Sequence, residues 1–250
     1  MKKTVNYDEA LVTYLDILGF RELVQGEAAG RISRTIRLVR DAIKPDRDRA
    51  RVYEMTYQSF SDLAVISIPI LTAGNITFRP GVLHSQIVRV ATAQVELLEE
   101  GIVLRGGITF GSIVRSYGQL FGPALIRAYD LERTIANYPR IVVDDVVFRE
   151  LDRNPALTKR GFEHEKTGIL ALLDKGEDGV WFIDYLRAVH SEAYPELFRR
   201  MLKRHRQVIK DKLREFEGNK KILEKYEWLR SYHNRTVEQL RMRRADRLMV

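Results

Sequence analysis

Tyr14-Leu15-Asp16-Ile17-Leu18-Gly19-Phe20 is the stretch on which the fold turns. It closes an apolar run, residues 10–17, that reads as a mostly buried strand ending on an aspartate. Leu18-Gly19-Phe20 makes a turn, and from Arg21 the pattern is helical. Residues 30–43 continue it, with Ile32, Ile36, Val39 and Ile43 at helical spacing before Pro45. Val52, Tyr53, Met55 and Tyr57, then Leu63, Val65 and Ile66, predict a hairpin over 52–69 that turns near 59–61. An amphipathic helix over 81–99 ends at Gly101, and a strand follows over 102–110.

The order strand-helix-strand-strand-helix-strand in residues 10–110 is the ferredoxin-like arrangement, an α+β class with an antiparallel sheet flanked by helices. In it the first strand lies between the third and fourth and runs antiparallel to both. Asp16, Asp62 and Arg105 then share one sheet edge with the helix that starts after Gly19. Further on, the pattern predicts a short strand near 112–117, a helix from Gly122-Pro123 to about 136, and a strand over 139–143. A second hairpin is expected over 167–187. From residue 192 on it is helical, broken at Gly218-Asn219. This divides the chain into a body, 1–190, and a helical C-terminal extension, 191–250.

Composition narrows the chemistry. There is no cysteine, which excludes disulfides, thiolate nucleophiles, zinc ribbons and iron–sulfur clusters. No apolar run is long enough to span a bilayer, and no secretory leader is legible, so a cytoplasmic protein is expected. The net charge of +8 is localised: residues 201–250 carry 15 basic and 7 acidic side chains, the rest 27 of each. A neutral body with a basic helical end does not read as a general nucleic-acid binder.

Two carboxylates at one sheet edge, Asp16 and Asp62, can hold one or two divalent cations, with water and phosphate filling the other positions. The turn at Gly19 offers backbone N–H groups to a polyphosphate. Singly, Asp16 reads more readily as a helix N-cap and Asp62 as a turn residue; their joint placement favours a metal site. Arg105 is the first candidate to neutralise charge on a phosphate and Arg127 the second. Tyr57, before the hairpin turn, reads either as the wall of a small base pocket or as cross-strand packing.

The quoted stretch resembles the Asp-Ile-x-Gly-Phe segment that opens class III nucleotidyl cyclase domains. Ser61-Asp62 is similar to that family's Gly-Asp hairpin, and Leu104-Arg105-Gly106-Gly107-Ile108 to its Arg-x-Gly-Ile strand. Phe121-Gly122-Pro123-Ala124-Leu125, with Ala128 and Leu131-Glu132, resembles its dimerisation and catalytic helix. The Phe-Gly-Pro-Ala-Leu form, with Lys225-Tyr226-Glu227-Trp228-Leu229, resembles the divergent bacterial branch that includes the pyrimidine cyclases of the Pycsar anti-phage system.

The resemblance implies a homodimeric enzyme with its active sites at the interface. It would make a 3′,5′-cyclic nucleotide from a nucleoside triphosphate, and a downstream effector would respond to the product. It also implies Asp16, Ile17 and Asp62 as binders of two Mg²⁺ or Mn²⁺ ions, with Asp16, Asp62 and Arg105 catalytic. Ile17, Gly19, Phe20, Tyr57, Gln58 and Gln119 would contact substrate. Gln58 and Gln119 replace the lysine and aspartate that read purines, so UTP is expected ahead of CTP. Ile126 and Asp130 stand where the family keeps its transition-state asparagine and arginine. That departure keeps a non-catalytic nucleotide-binding module as an alternative, and an ATP or GTP cyclase as another. A nucleic-acid role for the basic end is the remaining one.

Overall fold

The computed structural model describes residues 5–78, 81–154, 157, 163–190, 194–240 and 248–250. The first half runs β1 (Asp8–Ile17), α1 (Phe20–Gly26), α2 (Ala29–Ile43), α3 (Arg47–Val52), β2 (Thr56–Phe60) and β3 (Leu63–Pro69). It continues through α4 (Ala73–Thr77), α5 (Val82–Glu99), β4 (Leu104–Ser116), β5 (Gln119–Phe121) and α6 (Pro123–Asp130). A π-helical turn, Leu131–Ile135, extends α6. Then follow β6 (Ile141–Val143), α7 (Asp145–Arg153), α8 (Glu163–Ala171), β7 (Leu173–Lys175), β8 (Trp181–Ile183) and α9 (Tyr185–Ala188). Helices α10 (Pro195–Glu215) and α11 (Lys220–Gln239) come last.

The sheet order is β2-β3-β1-β4-β6-β8-β7, with β5 paired to β4. Its first four strands are the ferredoxin-like set, and β1 is antiparallel to both β3 and β4 as expected. The sheet as a whole is mixed, because β6 adds parallel to β4.

Strand alternation divides β1 between two faces. Leu11, Leu15 and Ile17 face α2 and α5, where Gln86 of α5 donates to Thr13 Oγ1 at 3.1 Å. Ala10 and Val12 face the other way and pack with Val65, Ile113, Ala124 and Ala128. That second face carries α6, which the sheet admits closely because β4 has glycine at 107. A Cβ there would sit 2.6 Å from Leu131 Cβ.

Several expected boundaries move. The first hairpin starts at Thr56 and not at 52, because residues 47–52 form α3, where Asp46 caps the helix by accepting from the Arg49 N–H at 2.8 Å. Strand β4 runs unbroken through Gly111 where two strands were expected. Helix α8 occupies the start of the expected second hairpin, whose strands are three residues each. The break at Gly218 and Asn219 is present; residues 192–193 and 241–247 of the expected helical tail lie outside the described residues. One apolar core runs from Leu11 and Leu15 through Leu202 of α10 and Leu229 of α11 to Leu248, across the expected boundary at 190. Among the described residues no helix is long and apolar enough to cross a membrane.

Candidate active site

Asp16 is the penultimate residue of β1, and the register sets it directly opposite Arg105 of β4. Arg105 donates twice to Asp16 Oδ2, from Nε at 3.1 Å and Nη2 at 2.9 Å. Its Nη2 also lies 2.6 Å from Glu132 Oε1, an ion-pair contact not aligned as a hydrogen bond. Glu132 reaches this point because the π-helical turn carries it over the sheet; its side chain is 6% exposed. Asp62 stands in the two-residue turn between β2 and β3, near enough to Asp16 for its carboxyl to raise that of Asp16.

Burial, then Asp62, then Glu132 push the Asp16 carboxyl up to about 7, against the pull of Arg105. Glu132 is raised too, mainly by burial. Tyr14, two residues before Asp16 on the same face, is pushed up to about 12 by burial and by Glu132 and Asp16. Two carboxyl groups, Asp16 and Glu132, thus divide one guanidinium, and the proton that Asp16 holds up to about 7 reduces the negative charge left over.

A hard divalent cation suits the same place: it would displace the proton on Asp16, take an oxygen from Asp62 and fill its other positions with water and phosphate. Among the described residues no group of three or more His, Asp or Glu side chains is arranged to hold an ion alone. The fit is therefore to a metal brought in part by its substrate.

The expected turn at Gly19 is present. Gly19 has φ +77°, a left-handed conformation that glycine adopts without strain, and no side chain caps α1 after it. The Leu18 N–H is taken by Val103 O at 2.9 Å, which pins the turn to the start of β4. Ile17 and Phe20 pack into the core through their side chains, leaving only main-chain groups to the site. A cleft of about 390 Å³ opens beside Leu18, Gly19 and Glu22 and is closed on its far side by Phe216 and Tyr226 of the C-terminal extension.

Gln58 and Gln119 come near one another at a different place. Gln58 Nε2 donates to Gly118 O at 2.7 Å, and Gln119 follows in β5. Gln58 lines an open groove of about 680 Å³ with Tyr14, Phe60, Ile126 and Tyr129. Tyr57 is not at this groove. It pairs with Ile66 and packs into the core under the helices, on the opposite face of the sheet. It cannot wall a pocket that Gln58 lines, because neighbouring strand residues point apart.

Arg127, the second candidate cation, is fully engaged with Asp144 at 2.7 and 2.8 Å, and Thr109 donates to the same carboxylate at 2.7 Å. Burial opposes ionisation of Asp144, but these bonds outweigh it and hold the carboxyl below its ordinary value.

Two residues quoted from the sequence only within motifs, Glu132 and Lys225, were given no role at the site. Glu132 lies four residues after Ala128 and eight after Ala124, so an acid on a buried small-residue stripe was the available signal. Lys225 of α11 carries no local signal, because only tertiary docking brings it in. It is half-buried among Arg105, Lys221, Glu22 and Glu132; burial, then Arg105, lower its ammonium.

No family model and no curated protein matches the chain. Among solved structures it is similar to the adenylyl cyclase CyaB from P. aeruginosa, at 14% identity over 76% of this chain and 97% of that one, with a TM-score of 0.46. It is similar to an adenylate/guanylate cyclase/hydrolase from Silicibacter pomeroyi at 19% identity, 72% and 98% coverage and a TM-score of 0.45. A dimeric guanylyl cyclase domain from the fungus Blastocladiella emersonii aligns at 14%, over 72% and 97%, with a TM-score of 0.43.

Proposed function

We propose that this chain is a metal-dependent nucleotidyl cyclase acting on a pyrimidine nucleoside triphosphate, UTP ahead of CTP. The observation that carries the reading is the placement of Asp16 and Asp62 at one sheet edge, beside Arg105 and the Gly19 turn. The ribose 3′-oxygen would attack the α-phosphorus, the bond to the β-phosphate oxygen would break, and pyrophosphate would leave. Divalent ions bound at Asp16, Asp62 and the Ile17 main chain would acidify the 3′-hydroxyl and offset charge on the phosphates. Arg105, held in place by Glu132, would face the α-phosphate. Lys225 and the main chain at Gly19 and Phe20 would hold the leaving pyrophosphate.

The pyrimidine preference rests on Gln58 and Gln119, amides that pair with a base edge without charge, in the positions where the resemblance expects purine contacts. A homodimer is supported by Phe60 and Ile126, which are 77% and 64% exposed beside the groove. A second copy would cover them and complete the base site. The cyclic product would act as a second messenger in anti-phage defence, on an effector outside this chain.

A second reading, a nucleotide-binding module without turnover, is favoured by one observation. Arg105 is already ion-paired to two carboxylates, while Ile126 and Asp130 supply no cation. The decisive experiment incubates the protein with Mn²⁺ or Mg²⁺ and each of ATP, GTP, CTP and UTP, with Asp62→Ala as control. A cyclic monophosphate from one pyrimidine substrate, absent in the variant, supports the enzyme and identifies the base. A cyclic purine product moves the specificity, and metal-dependent binding without product supports the module.

A further inference from the structure

On the helix-covered face, away from Asp16, Arg89 of α5 is an anomaly. Both terminal nitrogens of its guanidinium are buried, and neither has a hydrogen-bond partner among the described residues. A buried cation without an acceptor costs far more than an exposed one, and such a group calls for a counter-ion. Burial and then the neighbouring Arg49 pull the Arg89 guanidinium down to about 10, and Asp46 and Tyr57 offset this only in part.

The surroundings repeat the pattern. Arg49 of α3 is half-buried, lies over the Tyr53 ring at 5.9 Å, and has no carboxylate within ion-pair distance among the described residues. Arg49 and Arg89 line one cavity of about 390 Å³ where α2, α3 and α5 meet. His84, whose buried Nδ1 lacks a partner, lines it too, and Glu96 stands two turns of α5 beyond Arg89. The Tyr57 hydroxyl, near Arg89, is buried beside Ser59 without a well-formed hydrogen bond.

We infer that this cavity is a second ligand site, taking the phosphoryl group of a small molecule between Arg49 and Arg89. Two unpaired guanidinium forks suit a phosphate's several oxygens. Arg89 would turn about its side-chain torsions into the cavity it already lines and exchange an unsatisfied position for an ion pair. The acid at Glu96 would accept from a hydroxyl or amino group at the other end of the ligand. The chemical class is therefore a sugar phosphate or a nucleoside monophosphate rather than a bare lipid or an acidic peptide. Nothing in this inference depends on the catalytic reading.

The test is a thermal-shift titration of the full chain, with metal removed by chelator so that the Asp16 edge is not loaded. The probes are inorganic phosphate, ribose 5-phosphate, uridine monophosphate and unphosphorylated ribose, at matched ionic strength. Saturation tenfold above Kd is expected to raise the melting temperature by about 3–5 °C for a phosphorylated probe and not at all for ribose. Ribose 5-phosphate outperforming inorganic phosphate would assign the Glu96 end to a sugar. Arg89→Gln and Arg49→Gln should each abolish the shift, and Asp62→Asn should keep it. If Arg89→Gln does not fold, Arg49→Gln carries the test alone. No shift from any phosphorylated probe, or the same shift in Arg49→Gln, overturns the assignment.

Discussion

Burial, with Asp62 and Glu132 nearby, makes Asp16 hold its proton, and that proton sets a pH dependence. In the fold Asp16 holds it up to about 7, whereas the unfolded chain releases it near 3.8. The stabilisation is complete below the unfolded value and is lost as pH rises through the folded one. The chelated protein should therefore lose stability between pH 4 and 7 from this pair. Asp62→Asn removes the repulsion and should raise the metal-free melting temperature at pH 8, by about 1–2 kcal/mol or roughly 2–6 °C, while abolishing turnover. Equal melting of variant and parent would mean that the pair is not strained. Residue parity also explains what the sequence concealed here. Tyr57 and Gln58 are adjacent in one strand, so one pocket could not hold both; counting outward from the hairpin turn would have separated them. Asp16 and Asp62 were legible because the first lies at the close of an apolar run and the second just before one. Glu132 was not, because its position depends on a π-helical turn that shifts the helix face by one residue.

At the scale of elements, the site depends on how closely α6 approaches the sheet. Gly107→Ala would place a methyl 2.6 Å from Leu131 Cβ and 3.2 Å from Ala128 O. Lifting the helix to relieve this draws Glu132 from Arg105, so a loss of about 1–3 kcal/mol in stability is expected. Turnover should fall by more than tenfold, read in the same product assay. Helix α11 reaches the site by a different route. Trp228 stacks on Tyr138 at 5.5 Å, and Arg140 lies over the same indole at 5.7 Å. Lys225 is one turn earlier on that helical face. Lys225→Ala should raise KM for the triphosphate about tenfold and change kcat less, since the lysine would hold the phosphates in ground and transition states alike. A fall in kcat with KM unchanged would assign it to the transition state instead. The extension's helices were readable from spacing, but its role was not: amphipathicity tells which face is covered, not what covers it.

For the whole molecule, body and extension share one core, bound by a buried polar chain. Tyr185 Oη lies 2.6 Å from His205 Nε2, His205 Nδ1 lies 2.8 Å from His233 Nδ1, and His233 Nε2 lies 2.8 Å from Leu248 O. Because Leu248 O can only accept, His233 donates to it from Nε2 and accepts from His205, which in turn accepts from the tyrosine. Both rings must then be neutral, and burial lowers both pKa values. Their contribution is present above 6.5 and is lost as pH falls below it, the opposite slope to the aspartate pair. Leu248→Ala should lower global stability by about 2–4 kcal/mol, in one transition seen alike by Trp fluorescence and far-UV circular dichroism. Two transitions would mean that the extension unfolds as a separate unit. At the groove, Ile126→Asp should shift sedimentation from dimer to monomer, and activity should fall with it.

The Leu248 contact also bears on synthesis. Its carbonyl completes the proton order of a chain that reaches back to Tyr185, and Lys225 lies on the helix this chain clamps. A nascent polypeptide can fold the four central strands while still attached to the ribosome. Those strands already bring Arg105 to Asp16, but the order of the histidine pair waits until residue 248 has emerged. A chain stopped before Leu248 would thus hold Asp16 and Arg105 together while α11, and Lys225 with it, lacked that clamp.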